Sequence, residues 1–170
     1  RAAMEVVREA ARKGAQPIDA LRMACSTLSL DLRADGADNS RERDLTTAMM
    51  LVARCPTVVA AYVRAANGDE PIAPRADLSL AANFLYMLTG RDPDSVVSRA
   101  LDMYWVTVID HGMSASTFTA RVIASTRSDM VSAITGAIGA MKGPLHGGAP
   151  GPVLRMLMEI GTADRAEDWV

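Results

Sequence analysis

Asp94-Ser95-Val96-Val97-Ser98-Arg99-Ala100-Leu101-Asp102-Met103-Tyr104-Trp105-Val106-Thr107-Val108-Ile109-Asp110-His111-Gly112 is the stretch whose reading decides the fold. Val97, Leu101, Tyr104, Trp105 and Val108 recur at steps of one, three and four, which aligns them along one face of an α-helix. Asp92 or Asp94 supplies a side-chain acceptor for the first free N–H groups. The pattern predicts a helix running to His111, where Gly112 breaks it. The period-two alternation of a half-buried strand is absent here and along the rest of the chain.

The same punctuation continues on both sides. Downstream, Ser114 or Ser116 is placed to cap a helix through Ile123, and Ser128 to cap another through Met141. Residues 143–148 read as a loop, and a further helix covers residues 150–160. Upstream, Asp77 is placed to cap a helix over residues 78–89 that Gly90 closes, behind a connection stiffened by Pro71 and Pro74. Pro56 is expected to open a helix that Asn67-Gly68 ends, preceded by one from Ser40 to Arg54. Residues 30–40 are polar and read as a loop. Pro17 opens a helix to Leu28, and residues 2–13 form another, closed by Gly14 in a left-handed cap. The fold class is all-α, a multi-helix domain.

Composition narrows the function classes. With 170 residues, 49% hydrophobic and 22% charged, the chain can bury a real core, and disorder is not expected. A formal net charge of −2 with dispersed Lys and Arg lacks the basic footprint of a nucleic-acid binder. Every apolar stretch is interrupted within a few residues by Asp, Arg, Ser or Gly, so no bilayer-spanning run and no membrane association is expected. The two cysteines, Cys25 and Cys55, lie in apolar helical surroundings and read as buried thiols of a cytoplasmic protein.

One helix has a face of small side chains: Ala133, Gly136, Ala137 and Ala140. A helical glycine costs on the order of 1 kcal/mol relative to alanine. Close approach of a neighbouring helix is the usual compensation. Internal packing and a subunit interface satisfy that spacing equally.

Two histidines carry the candidate chemistry. His111 falls at a helix C-terminus, where the dipole favours a protonated ring by up to about 2 kcal/mol, a setting suited to an anionic or carbonyl oxygen. His146 sits before a helix N-terminus, where the dipole disfavours imidazolium and a neutral ring can donate a hydrogen bond to a carbonyl becoming an enol. Gly147 and Gly148 let a ligand or backbone come close. Rival sites fail on pattern. Residues 112–116 lack the final glycine and preceding strand of a nucleophile elbow, residues 136–139 follow no strand, and residues 142–144 lack the Gly-Lys-Ser/Thr order of a phosphate loop. No metal site is expected, since only distant carboxylates could join the histidines. Asp19, Asp77, Asp102 and Asp110 read as caps or solvated charges.

Two segments carry a family resemblance. Asp110-His111-Gly112-Met113-Ser114-Ala115-Ser116-Thr117-Phe118-Thr119-Ala120-Arg121-Val122-Ile123-Ala124-Ser125-Thr126 and Lys142-Gly143-Pro144-Leu145-His146-Gly147-Gly148-Ala149 resemble signatures of citrate synthases. Residues 17–22 and 77–90 match more weakly, in the family's order. The resemblance implies a two-domain helical homodimer that condenses an acyl-CoA with a 2-oxo acid, typically acetyl-CoA with oxaloacetate to give citrate. It implies no tightly bound cofactor, with the coenzyme A thioester as co-substrate. His146 matches the histidine that stabilises the acetyl-CoA enol, and His111 one that contacts oxaloacetate. Ser114, assigned to substrate binding, stands where the family usually has Asn, and Pro150 where it commonly has Asn. In the family the helices around this loop pair with their partner-subunit copies, which favours the interface reading of the small-residue face.

Arg1 opens inside a helical pattern, and residues 166–170 read as the first turns of another helix. Both predict a piece of a longer protein: an incomplete large domain, with a small domain carrying the remaining catalytic residues after residue 170. The resemblance places a second histidine, an Asp base and carboxylate-clamping arginines there, so the 170 residues alone are expected to be inactive. Methylcitrate synthase using propionyl-CoA, a citrate-cleaving lyase and a non-catalytic helical dimerisation module are the alternative readings.

Overall fold

Gly14 and Gly68 show how local chemistry terminates these helices. In the computed structural model, which describes residues 1–31, 41–148 and 150–169, both glycines are left-handed, at φ 64° and 85°. After α1 (Ala2–Arg12), the Ala15 N–H reaches the Ala10 carbonyl at 2.9 Å and the Gly14 N–H reaches Ala11 at 3.0 Å. That pair of bonds satisfies carbonyls the helix leaves open. The same pair recurs at Asp69 and Gly68 after α3 (Arg41–Ala66). Between them lies α2 (Pro17–Thr27), begun by its proline and extended by a short 3-10 turn over Leu28–Leu30.

The chain continues through α4 (Leu80–Thr89), α5 (Ser95–Thr107), α6 (Ala115–Ser125), α7 (Met130–Met141), α8 (Pro150–Ile160), a 3-10 turn over Ala163–Arg165 and α9 (Ala166–Trp169). No strand occurs among the described residues. The all-α expectation therefore holds.

The core forms where α1, α2, α3 and α7 meet, from Val7, Ala20, Ala24, Cys25, Leu28, Leu51, Val58, Ala61, Tyr62, Val131 and Ile138. Full burial of a side chain such as Val7 contributes about 1.5–3 kcal/mol. The Tyr62 hydroxyl donates to the Ala15 carbonyl and ties α3 to the α1–α2 turn. Cys25 and Cys55 are free thiols that neighbour each other. The adjacent Cys25, together with burial, pushes the Cys55 thiol up, so it packs as a neutral group. Outside the core, α4 lies on α3, α5 on α4, and α6 on α7.

Several boundaries differ from the sequence expectation. Pro56 does not open a helix: α3 runs through it for 26 residues. Proline has no N–H to offer the Val52 carbonyl, but Val52 is exposed and the apolar residues beyond Pro56 gain burial by continuing the helix. As a result α3 is long and apolar enough, by length and composition, to cross a membrane, which the interrupted pattern had not suggested. Its contacts with α1, α2, α4 and α7 make it the central helix of this bundle. Ser40, the expected cap of this helix, and most of the expected 30–40 loop lie outside the described residues.

Asp77 does not cap α4, because its carboxylate accepts from Arg75 Nε and Nη2 at 3.1 and 2.6 Å. Ser79 caps instead, accepting from the Ala82 N–H at 3.4 Å. Asp129 rather than Ser128 caps α7, accepting from the Ser132 N–H at 2.9 Å.

The end of α5 matters most for function. Asp94 caps its start, accepting from the N–H groups of Val96 and Val97 at 2.7 and 3.1 Å. The helix stops at Thr107, four residues before His111. Val106, Thr107, Val108 and Ile109 form a β-branched run that loses rotamer freedom in a helix. Asp110 then accepts from the Gly112 N–H at 2.7 Å, a local turn that competes with helix.

One ion pair ties the core to the site. Lys142, the C-cap residue of α7, donates to both oxygens of Asp19 on α2 at 2.9 and 2.8 Å, with Arg22 at 3.4 Å. Lys142 first and Arg22 second hold the Asp19 carboxyl below its ordinary 3.8. A depressed carboxylate contributes stability above its unfolded value and loses it as pH falls through the folded one. Asp19→Asn is therefore expected to lower the thermal unfolding midpoint of the full-length protein near neutrality. The gap to the parent protein should close as the pH drops below about 4. A gap that stays constant with pH would contradict this role.

Candidate active site

The loop joining α7 to α8 is a tight backbone coil. The His146 and Gly147 N–H groups both donate to the Gly143 carbonyl, at 3.0 and 3.1 Å. The coil brings Gly147 so close to α7 that a Cβ there would lie 1.9 Å from the Met141 carbonyl oxygen. At Gly148 a Cβ would lie 2.7 Å from the Pro144 carbonyl oxygen. Of the two reasons the sequence offered for these glycines, backbone approach is the one seen.

The coil carries the His146 ring, half-buried, toward the first turn of α6, with Nε2 2.9 Å from Ser116 Oγ. The ring is therefore not packed into the apolar core, and α8 begins just beyond it at Pro150. Ser116 lies in the first turn of α6, so the ring stands at the N-terminal end of that helix. With Nε2 engaged, Nδ1 is the nitrogen left for a substrate.

Ser114 is the N-cap of α6 and accepts from the Thr117 N–H at 3.3 Å. Its hydroxyl also stands 3.1 Å from Ser116 Oγ and 3.0 Å from Thr117 Oγ1. The side chain assigned to substrate binding is thus engaged with its own helix turn. His111 is exposed in the loop of Asp110 and left-handed Gly112, three residues before that cap. It is not at a helix end, so the dipole argument made for it does not apply, because the effect fades within the last turn. Both histidines nonetheless gather at the N-terminal end of α6.

Sequence reasoning passed over Ser116 and Thr117. The available signal was three hydroxyls in four residues, Ser114, Ser116 and Thr117, at a helix start. The small-residue face is also clearer. Gly136 lets α6 approach α7 so closely that a Cβ would meet Ile123 Cδ1 at 2.3 Å, so that position serves internal packing. Two shallow concavities among the described residues lie along α4 and α5, lined by residues such as Leu85, Pro93 and Val97, and neither includes a histidine. Among the described residues no group of three or more His, Cys, Asp or Glu is placed to hold a metal ion.

An all-helical scaffold that presents a histidine on a Gly-Pro-Leu-His-Gly-Gly loop against a hydroxyl-rich helix start is the class this geometry defines. A sequence model described as citrate synthase, C-terminal domain, matches residues 1–170. The chain is 50% identical over 159 residues to a citrate synthase of Deinococcus radiodurans, covering 93% of this chain and 42% of that protein. It is 42% identical over 154 residues to a 2-methylcitrate synthase of Mycobacterium tuberculosis, covering 91% of this chain and 38% of that one. The crystal structure of citrate synthase from Pyrobaculum aerophilum superposes with a TM-score of 0.79 at 39% identity, over 98% of this chain and 43% of that one. The chain belongs to the citrate synthase family. It spans less than half the length of these relatives.

Proposed function

We propose that the protein carrying these residues condenses acetyl-CoA with oxaloacetate to give citrate and free CoA. The observation that carries this reading is the His146–Ser116 contact. Ser116 occupies Nε2 and leaves Nδ1–H to donate to the thioester carbonyl as the methyl group loses its proton and the oxygen gains negative charge. A donor aimed at developing charge stabilises the transition state more than the ground state. The enol carbon then attacks the ketone carbon of oxaloacetate, which His111 contacts from the adjoining loop. Hydrolysis of the resulting thioester releases CoA. The proton must be taken by a base, and we assign this to a part of the protein beyond these 170 residues.

The resemblance to 2-methylcitrate synthase, 42% identical, favours propionyl-CoA as the second reading. We further propose a homodimer using α6 and its neighbours, supported by the exposed Phe118 and Val122 one turn apart on α6. A cytoplasmic location is proposed from the buried thiol of Cys25. The test is release of free CoA by the full-length protein with oxaloacetate and each acyl-CoA. Turnover is expected with acetyl-CoA in preference to propionyl-CoA, and none is expected from residues 1–170 alone. A faster propionyl-CoA rate would select the second reading. No turnover with either would leave a non-catalytic helical module.

A further inference from the structure

Burial along α7 ends one turn before the loop it carries. Val131, Ala133, Ala137 and Ile138 are buried, but Gly139, Met141 and Lys142 are exposed and Ala140 is half-buried. Packing against α6 is also earlier, at Gly136, where Ile123 closes on the helix backbone. A helix end without buried apolar contacts opens at low free energy. Yet the 143–148 coil takes its position from that last turn. Gly147 abuts the Met141 carbonyl, and the His146 and Gly147 N–H groups both donate to Gly143, the residue after Lys142. The coil and the last turn therefore move as one unit.

The restraint on that unit is polar. Lys142 Nζ donates to both oxygens of Asp19, 123 residues away in sequence and in the first turn of α2. The Asp19 side chain is only 19% exposed, so water and salt screen this pair less than an ordinary surface ion pair. Behind Asp19, α2 sits in the core through Ala20, Ala24 and Cys25, so the ammonium is tied to a rigid element. We infer that the Lys142–Asp19 ion pair sets where the 143–148 coil stands, with Lys142 as a positioning residue for His146. This rests on the role proposed for His146 and adds the tether that keeps its ring within reach of α6. Arg22 also reaches the Asp19 carboxylate, at 3.4 Å. Removing the Lys142 ammonium leaves Asp19 with a cation, so the loss falls on position rather than on an unpaired buried charge.

The test compares Lys142→Met, Lys142→Arg, Asp19→Asn and the Asp19→Asn/Lys142→Met double variant in the full-length protein, by CoA-release kinetics and amide hydrogen exchange. In Lys142→Met, kcat should fall about tenfold with KM little changed, as for a ring displaced by a fraction of an ångström. Exchange should quicken at the amides of residues 142–147 and keep the parental rate in α1 and α2. Lys142→Arg, whose guanidinium also pairs with a carboxylate, should restore most of the rate. Asp19→Asn should lose kcat to a similar degree and the double variant no further, as for two residues acting through one bond. Parental kcat in Lys142→Met, an additive loss in the double variant, or exchange that quickens alike in every helix overturns the positioning role. A parent protein that releases no CoA, with exchange quickened at the coil alone in Lys142→Met, would instead refute the proposed activity and leave the tether standing.

Discussion

Gly147→Ala is expected to remove most activity from the full-length protein, because the new methyl carbon would lie 1.9 Å from one backbone atom and 3.0 Å from the next. Those atoms are the Met141 carbonyl oxygen and carbon. Neither is the movable tip of a side chain, so the last turn of α7 or the 143–148 coil must shift by more than an ångström. Overpacking of this kind costs about 1–3 kcal/mol. The functional loss should exceed the stability loss. Gly147 adjoins His146 and shares the Gly143 carbonyl with it, so any shift moves the ring away from Ser116. Misplacement by about 1 Å costs on the order of 10²-fold in rate. Kinetics of CoA release and a thermal melt on the same sample check this, and a variant with parental kcat would show that the coil does not position the ring.

His146→Ala is the complementary experiment. The ring is half-buried, so its loss should change the unfolding midpoint little. On the proposed mechanism it removes a donor to the developing enol oxygen, worth roughly 10²–10³ in kcat. KM for acetyl-CoA should change far less than kcat, since the interaction strengthens only as charge develops. A rise in KM with kcat intact would assign His146 to ground-state binding and remove it from the chemistry. Comparing the two variants separates cause from position: Gly147→Ala should perturb the melt and the rate together, His146→Ala the rate alone.

Much of the fold was legible because its signals are local. Gly14, Gly68 and Gly90 close helices where a left-handed residue is needed, and Pro17 and Pro150 open them. Competition from neighbouring side chains and from burial explains the misreadings. Asp77 is an excellent cap in isolation, yet Arg75 takes its carboxylate and Ser79 does the work. Pro56 is a helix breaker in isolation, yet burial of Val58, Ala61 and Tyr62 carries the helix through it.

At the candidate site, His146 and its glycines stood out in the sequence because residue type and spacing alone restrict what such a loop can do. Ser116 and Thr117 did not. A serine in a first helical turn has a capping explanation close at hand, and its use toward a ring thirty residues away leaves no periodic trace.

Residue order by itself determined the all-helical class, most helix ends and the two histidines, since each depends on chemistry within about four residues along the chain. Tertiary packing alone decided that α3 is one helix, that Gly136 admits Ile123, and that α6 and the 143–148 coil close on each other so that Ser116 meets His146. Such contacts join residues far apart in sequence, and their energies depend on which surfaces are buried together.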